Sequence, residues 1–194
     1  MKAMARMALM ALVLVGLLGA SASAVVVGYW RFEEGTPGNP VVPGAQVTDS
    51  SGNGNHMTTF AAGTAPTYSA TVAANPVPGT GAPDLVSIDN SALPAGGNNT
   101  RDLYTPAGRA FNTYTFNQWT IEASVDFSVL GSHQTFVGRD ANAIPGADAN
   151  LAAVYFKKEP ANQLSINAMQ ANGVFRSVAT SYTVSAGRWY NVAA

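Results

Sequence analysis

Trp119-Thr120-Ile121-Glu122-Ala123-Ser124-Val125-Asp126-Phe127 is the clearest alternation in the chain. A strand turns successive side chains to opposite faces, so Trp119, Ile121, Ala123, Val125 and Phe127 share one face while Thr120, Glu122, Ser124 and Asp126 share the other. The first face is apolar and the second polar, the pattern of an antiparallel strand covered on one side only. Downstream, segments 135–138, 151–157, 164–169 and 174–180 read as further strands, the last two joined through Asn172-Gly173, a type I′ hairpin signal. Connections this short imply an antiparallel meander.

Upstream the same short apolar alternations recur between clusters of turn formers. Segment 25–32 opens as a strand. Residues 35–54 form a long connection with Pro37, Gly38, Pro40, Pro43 and Gly44, ending in Asp49-Ser50-Ser51-Gly52-Asn53-Gly54-Asn55. Residues 61–83 read as loop with one edge strand near 67–72, and 85–89 and 103–105 are short strands around the Gly96-Gly97-Asn98-Asn99 turn. No segment keeps a 3.6-residue apolar period for three turns. Nine or ten short strands with no helix to cover a sheet leave two sheets to cover each other, which predicts an all-β sandwich or jelly roll.

Composition points the same way. Only 11% of the 194 residues are charged, less than half the usual share of about 25%, so hydroxyls and amides make the surface polar. Ten Lys and Arg against eleven Asp and Glu leave no basic field for phosphate backbones, and nucleic acid is excluded as an expected partner.

Residues 1–24 read as a secretory signal: Lys2 and Arg6, an uncharged apolar run from Met7 to Leu18, then the small-residue site Ala22-Ser23-Ala24. The run is shorter than the roughly 20 residues of a bilayer-spanning helix, so no membrane span is expected once it is removed. The mature protein is then secreted, either extracellular or periplasmic. The absence of cysteine excludes a disulfide framework and a lipid-bearing cysteine, and the core of one domain over 25–194 must hold the fold unaided.

Four stretches occur in a familiar order: Gly28-Tyr29-Trp30-Arg31-Phe32-Glu33-Glu34-Gly35, Asp49 through His56, Trp119-Thr120-Ile121-Glu122-Ala123, and Gly187-Arg188-Trp189-Tyr190-Asn191-Val192-Ala193. Together they resemble the laminin-G-like, concanavalin A-like jelly-roll domains of secreted bacterial proteins, over essentially all of 25–194. The resemblance implies a two-sheet antiparallel jelly-roll β-sandwich, often with a structural calcium. Such domains usually serve as binding or adhesion modules and act as glycosidases only in certain branches. In that family the segment like 189–193 begins an inner strand followed by further strands, so the domain is expected to be incomplete at its C-terminal end.

Two readings of Asp49 to Asn55 stand side by side. Asp49, Ser51 and Asn53, two apart and followed by Gly54, match the opening of a calcium loop. On this reading Asp49, Asn53 and Asn55 are ligands, and Asp140, from a second acidic group with Asp148 and Asn150, completes the set across the fold or belongs to a site of that group's own. An EF-hand is excluded, because Phe60 stands where the bidentate Glu belongs. On the other reading Asp49 accepts backbone N–H groups in an Asx-turn array while Gly52 and Gly54 supply positive φ, and the second acidic group is a solvated loop.

Glu122 and Asp126 are the carboxylates that share a strand face. Four residues apart, they stand about 13 Å from each other, beyond the roughly 5–9.5 Å of a glycosidase pair, and they read as surface charges. His56 and His133 have no His or Cys at ligand spacing, so a zinc site is not expected. No G-x-S-x-G, P-loop or G-x-G-x-x-G sequence occurs. Trp30, Trp119 and Trp189 sit on apolar alternations and are expected in the core. Tyr104, Tyr114 and Tyr182, near loops, are the better sugar-stacking candidates. Lys157 and Lys158, being consecutive, point to opposite faces and make no basic patch. The expectation is a secreted, non-catalytic module recognising carbohydrate or a cell-surface ligand. The alternatives are a glycoside hydrolase or lyase of the same fold, or a purely structural surface module.

Overall fold

The structure, a computed structural model, describes residues 25–59, 65–74, 82–91, 103–106, 109, 119–140, 152–169 and 174–194. The signal segment, the Asn172-Gly173 turn, Tyr114, Asp148 and Asn150 lie outside the described residues. Within them the alternations become ten strands and no helix: β1 (Thr58–Thr59), β2 (Thr67–Ser69), β3 (Ser87–Asp89), β4 (Leu103–Tyr104), β5 (Glu122–Asp126), β6 (Gln134–Asp140), β7 (Ala152–Lys158), β8 (Gln163–Met169), β9 (Phe175–Thr183) and β10 (Trp189–Ala193).

Every pairing is antiparallel. β6-β7-β8-β9 forms the meander that the short connections imply, while β10 pairs with β5 from Trp189↔Asp126 to Ala193↔Glu122. Ile121 and Ala194 extend that ribbon by exchanging N–H···O bonds of 2.9 and 3.0 Å. β1 pairs with β4 and β2 with β3.

Register decides which side chains meet. Phe156↔Ile166 and Lys158↔Leu164 place these four on one face of the four-stranded sheet, and Lys157↔Ser165 and Tyr155↔Asn167 place theirs on the other. In the ribbon, Val125↔Tyr190 and Ala123↔Val192 share the apolar face foreseen for 119–127. The two apolar faces meet in one core, where buried Phe127, Leu164 and Val184 are packed by Val125, Phe136, Tyr190 and Val192. Phe136 links the ribbon to the sheet, with its ring centroid 6.0 Å from that of Phe127 and 4.6 Å from that of Phe156. Such tilted aromatic pairs add to what area burial alone contributes.

A second core draws on the first half of the chain: Val41, Val47, Tyr68 and Val86, packed by Trp30, Phe32, Met57, Ile88 and Leu103. Val41 and Val47 belong to the connection 35–54, yet they are 1% and 0% exposed. Their burial is possible because the backbone is satisfied without a ladder. Val41 N–H donates to Pro66 O at 2.8 Å, and Val47 and Met57 exchange bonds of 2.8 and 2.9 Å.

Two expectations change. Segment 25–32 is not a ladder strand; its sheet contact is the single bridge Trp30↔Asp49. Side chains replace the ladder there: Asp49 takes the Tyr29 N–H, Asn53 donates to Val26 O, and Asn55 donates to Val27 O. Trp119, expected in the core, is 37% exposed, since it lies beyond the Ile121–Ala194 pair that ends the ribbon. Trp30 and Trp189 are half-buried.

Candidate functional site

Three groups of polar and aromatic side chains stand out, beginning with the Asp49 turn. Asp49 is 4% exposed. Its Oδ1 accepts the N–H groups of Tyr29 and Ser51, each at 2.9 Å, and its Oδ2 accepts that of Asn55 at 2.8 Å. Gly52 and Gly54 take φ of 85° and 71°, which brings the chain round at little steric cost. Burial pushes the Asp49 carboxyl up, but the Ser51 hydroxyl and the three N–H groups outweigh it and hold it below its ordinary value. His56 Nδ1 accepts the Asp49 N–H at 3.0 Å.

Both carboxylate oxygens thus face hydrogen-bond donors. The amides of Asn53 and Asn55 are turned toward the carbonyls of Val26 and Val27. A calcium ion needs six to eight oxygens aimed at one point; this donor set is the Asx-turn array, and it does not fit the ion as arranged. Asp140 ends β6 in another part of the chain, and among the described residues no three His, Asp or Glu side chains cluster as a metal set.

The second group joins the ends of the meander. Glu159 lies 3.3 Å from Lys157 Nζ and 2.9 Å from His133 Nδ1, and it accepts the Ser165 hydroxyl at 2.6 Å. The Ser165 bond is the main cause that holds the Glu159 carboxyl below its ordinary value. Asn167 and Ser177 bond at 2.6 Å across β8 and β9, and with its amide oxygen toward Lys157 Asn167 accepts from Nζ at 2.8 Å. On the opposite face Lys158 is fully buried, donating to Ser132 O at 2.6 Å and lying 5.9 Å from the Phe127 ring centroid. The two lysines therefore do point apart. These polar side chains satisfy one another, which is the mark of a structural network.

The third group is at the surface beside the β9–β10 turn. Tyr182 is 53% exposed. Its ring meets that of Tyr190 edge-on at 6.1 Å and 71°, and the Arg188 guanidinium lies 5.5 Å from the Tyr190 ring centroid. Tyr190 is fixed from below, its hydroxyl accepting the Ser185 N–H at 2.8 Å. The arrangement presents an aromatic surface beside a cation with several N–H donors.

No family model, curated protein or solved structure matches the chain. The functional reading therefore rests on the residues themselves.

Of the side chains singled out from sequence, Asp49, Asn53 and Asn55 come together in one turn, while the placement of the Asp140 side chain lies outside what the structure describes. Glu122 and Asp126 are exposed at opposite ends of β5. Tyr104 is half-buried in β4, which leaves Tyr182 as the exposed tyrosine of the three within the described residues. The sequence reading missed Arg188 and Tyr190 as neighbours of Tyr182. Their spacing across the Ser185-Ala186-Gly187 turn held that signal, since Gly187 with φ of 68° reverses the chain and brings 182 back against 190.

An apolar groove of about 420 Å³ also opens beside the end of β10, lined by Phe156, Ile166, Val178 and Val192. No helix among the described residues is long and apolar enough to cross a membrane.

Proposed function

We propose that this chain is a secreted, non-catalytic binding module built as a two-sheet jelly-roll sandwich of the concanavalin A-like kind. Its ligand is a carbohydrate, free or on a cell surface, held at the Tyr182 surface. One observation carries the reading: Tyr182 leaves over half of its surface in solvent while Tyr190 and Arg188 are set beside it. Sugars are recognised by aromatic faces that meet their C–H groups and by fixed donors that meet their hydroxyls. A guanidinium stacked near a tyrosine ring is held in place before binding, which lowers the ordering cost. The jelly-roll assignment draws support from the antiparallel meander and from the core shared between it and the β5–β10 ribbon.

A glycan array tests the reading. Mature protein should bind a defined subset of glycans, and Tyr182→Ala should lower affinity about tenfold or more while leaving the melting temperature unchanged. An array without hits, or retention of binding by Tyr182→Ala, would remove it. Export has its own check: N-terminal sequencing of the secreted protein should begin at Val25.

A further inference from the structure

We propose that the small pocket between residues 44–58 and Arg109 binds a carboxylate group. The pocket has a volume of about 160 Å³, and His56, Arg109, Thr58, Gln46 and Pro106 are among the residues that line it. That is well below the roughly 300–1,000 Å³ of sites that enclose drug-sized ligands, so it suits a small functional group. Among the described residues its lining contains one guanidinium, that of Arg109, and no Asp or Glu.

The donors in this lining are held in place by the fold. Arg109 is tethered by Nη1, which donates to Gly54 O at 3.1 Å, and among the described residues no carboxylate forms an ion pair with it. Guanidinium carries five N–H donors, so one bond to Gly54 fixes its position and leaves donors over. His56 Nδ1 accepts the Asp49 N–H at 3.0 Å, so Nδ1 carries no proton and the ring N–H is on Nε2. A cation and an imidazole N–H, both on residues that line the pocket, make a donor set for an anion. The planar fork of Arg109 favours a carboxylate, whose two oxygens it can engage together.

The pocket is separate from the Tyr182 surface, and the inference stands or falls without it. The chain has two histidines, His56 and His133, so the His56 ring resonances can be assigned in NMR spectra by comparison with a His133→Gln variant. Acetate and glucuronate should each shift the His56 signals saturably, and acetamide, the uncharged isostere of acetate, should not. Tighter binding of glucuronate than acetate identifies the carboxylate as that of an acidic sugar, and equal binding identifies a free small acid. Arg109→Gln should weaken acetate binding at least tenfold with the spectrum otherwise folded. No saturable shift with either acid, an equal response to acetamide, or undiminished binding by folded Arg109→Gln would overturn the proposal. Should Arg109→Gln not fold, the comparison of acetate with acetamide in the wild-type protein decides alone.

Discussion

Asn162 Oδ1 accepts the N–H of Gly131 at 2.8 Å, tying the turn before β6 to the turn between β7 and β8. Both residues are in the left-handed region, with φ of 62° and 77°. The Asn162 carbonyl in turn accepts the Val184 N–H at 2.8 Å, and Val184 is one of the buried residues of the core. One residue thus holds together the chain leaving β5, the β7–β8 turn and the chain entering β10.

This position separates a side-chain effect from a backbone effect. Asn162→Gly keeps the left-handed backbone and removes the bond to Gly131, and it is expected to cost about 1 kcal/mol. Asn162→Ala loses the same bond but keeps a β-carbon in the left-handed region, so it should be about 1–2 kcal/mol less stable than Asn162→Gly. Urea unfolding midpoints at constant m-value measure both. Equal loss in the two variants would show that the left-handed turn imposes no cost here.

Asp49 should act through its N–H partners, without metal. Asp49→Ala leaves three backbone N–H groups without their acceptor, one of them on fully buried Asn55. Each buried donor left unmatched costs about 1–3 kcal/mol, so the variant should lose most of the stability of a marginal domain. The carboxyl is depressed in the fold, so its contribution is complete above the ordinary aspartate value near ~3.9 and is lost as pH falls through the lower folded value. Asp49→Asn should flatten that acid limb. Thermal melts with calcium and with a chelator should superimpose; a rise in calcium that disappears in Asp49→Ala would establish the ligand reading of this turn.

Period-2 alternation made the second half of the chain readable. β5 and β8 carry it most clearly, with Ala123 and Val125 on one face of the first and Leu164, Ile166 and Ala168 on one face of the second, and the short β7–β8 connection makes those strands neighbours. The first half was harder because its core is built from a connection. Val41 and Val47 stand among prolines and glycines, and their burial depends on bonds to Pro66 and Met57, which no local pattern reveals. The Asp49 turn was legible as a turn because its Asp, Ser, Asn and Gly order fits an Asx array as well as a calcium loop. What separates these readings is which groups point at Asp49, and those include the N–H of Tyr29, twenty residues away. The lysine pair was read correctly for direction, but alternation alone could not tell that the face receiving Lys158 was closed.

That closure makes Lys158 the source of an alkaline pH dependence. The side chain is fully buried, its ammonium is held by Ser132 O at 2.6 Å and more distantly by Asn162 Oδ1 at 3.5 Å, and the carboxylate of neighbouring Glu159 is engaged by Lys157, His133 and Ser165. Burial therefore lowers the Lys158 pKa from its ordinary value. The unfolded chain holds this proton more tightly than the folded one, so the folded state carries a penalty at neutral pH. The penalty is relieved as pH rises from the lowered folded value toward the ordinary lysine value of ~10.4. Lys158→Met fills a similar volume without a charge and has no such proton. Urea unfolding of both proteins should show the variant's stability relative to wild type to be greatest near neutrality and to fall steadily toward about pH 10. A difference that stays constant across that interval would mean that the Ser132 carbonyl compensates the buried charge in full.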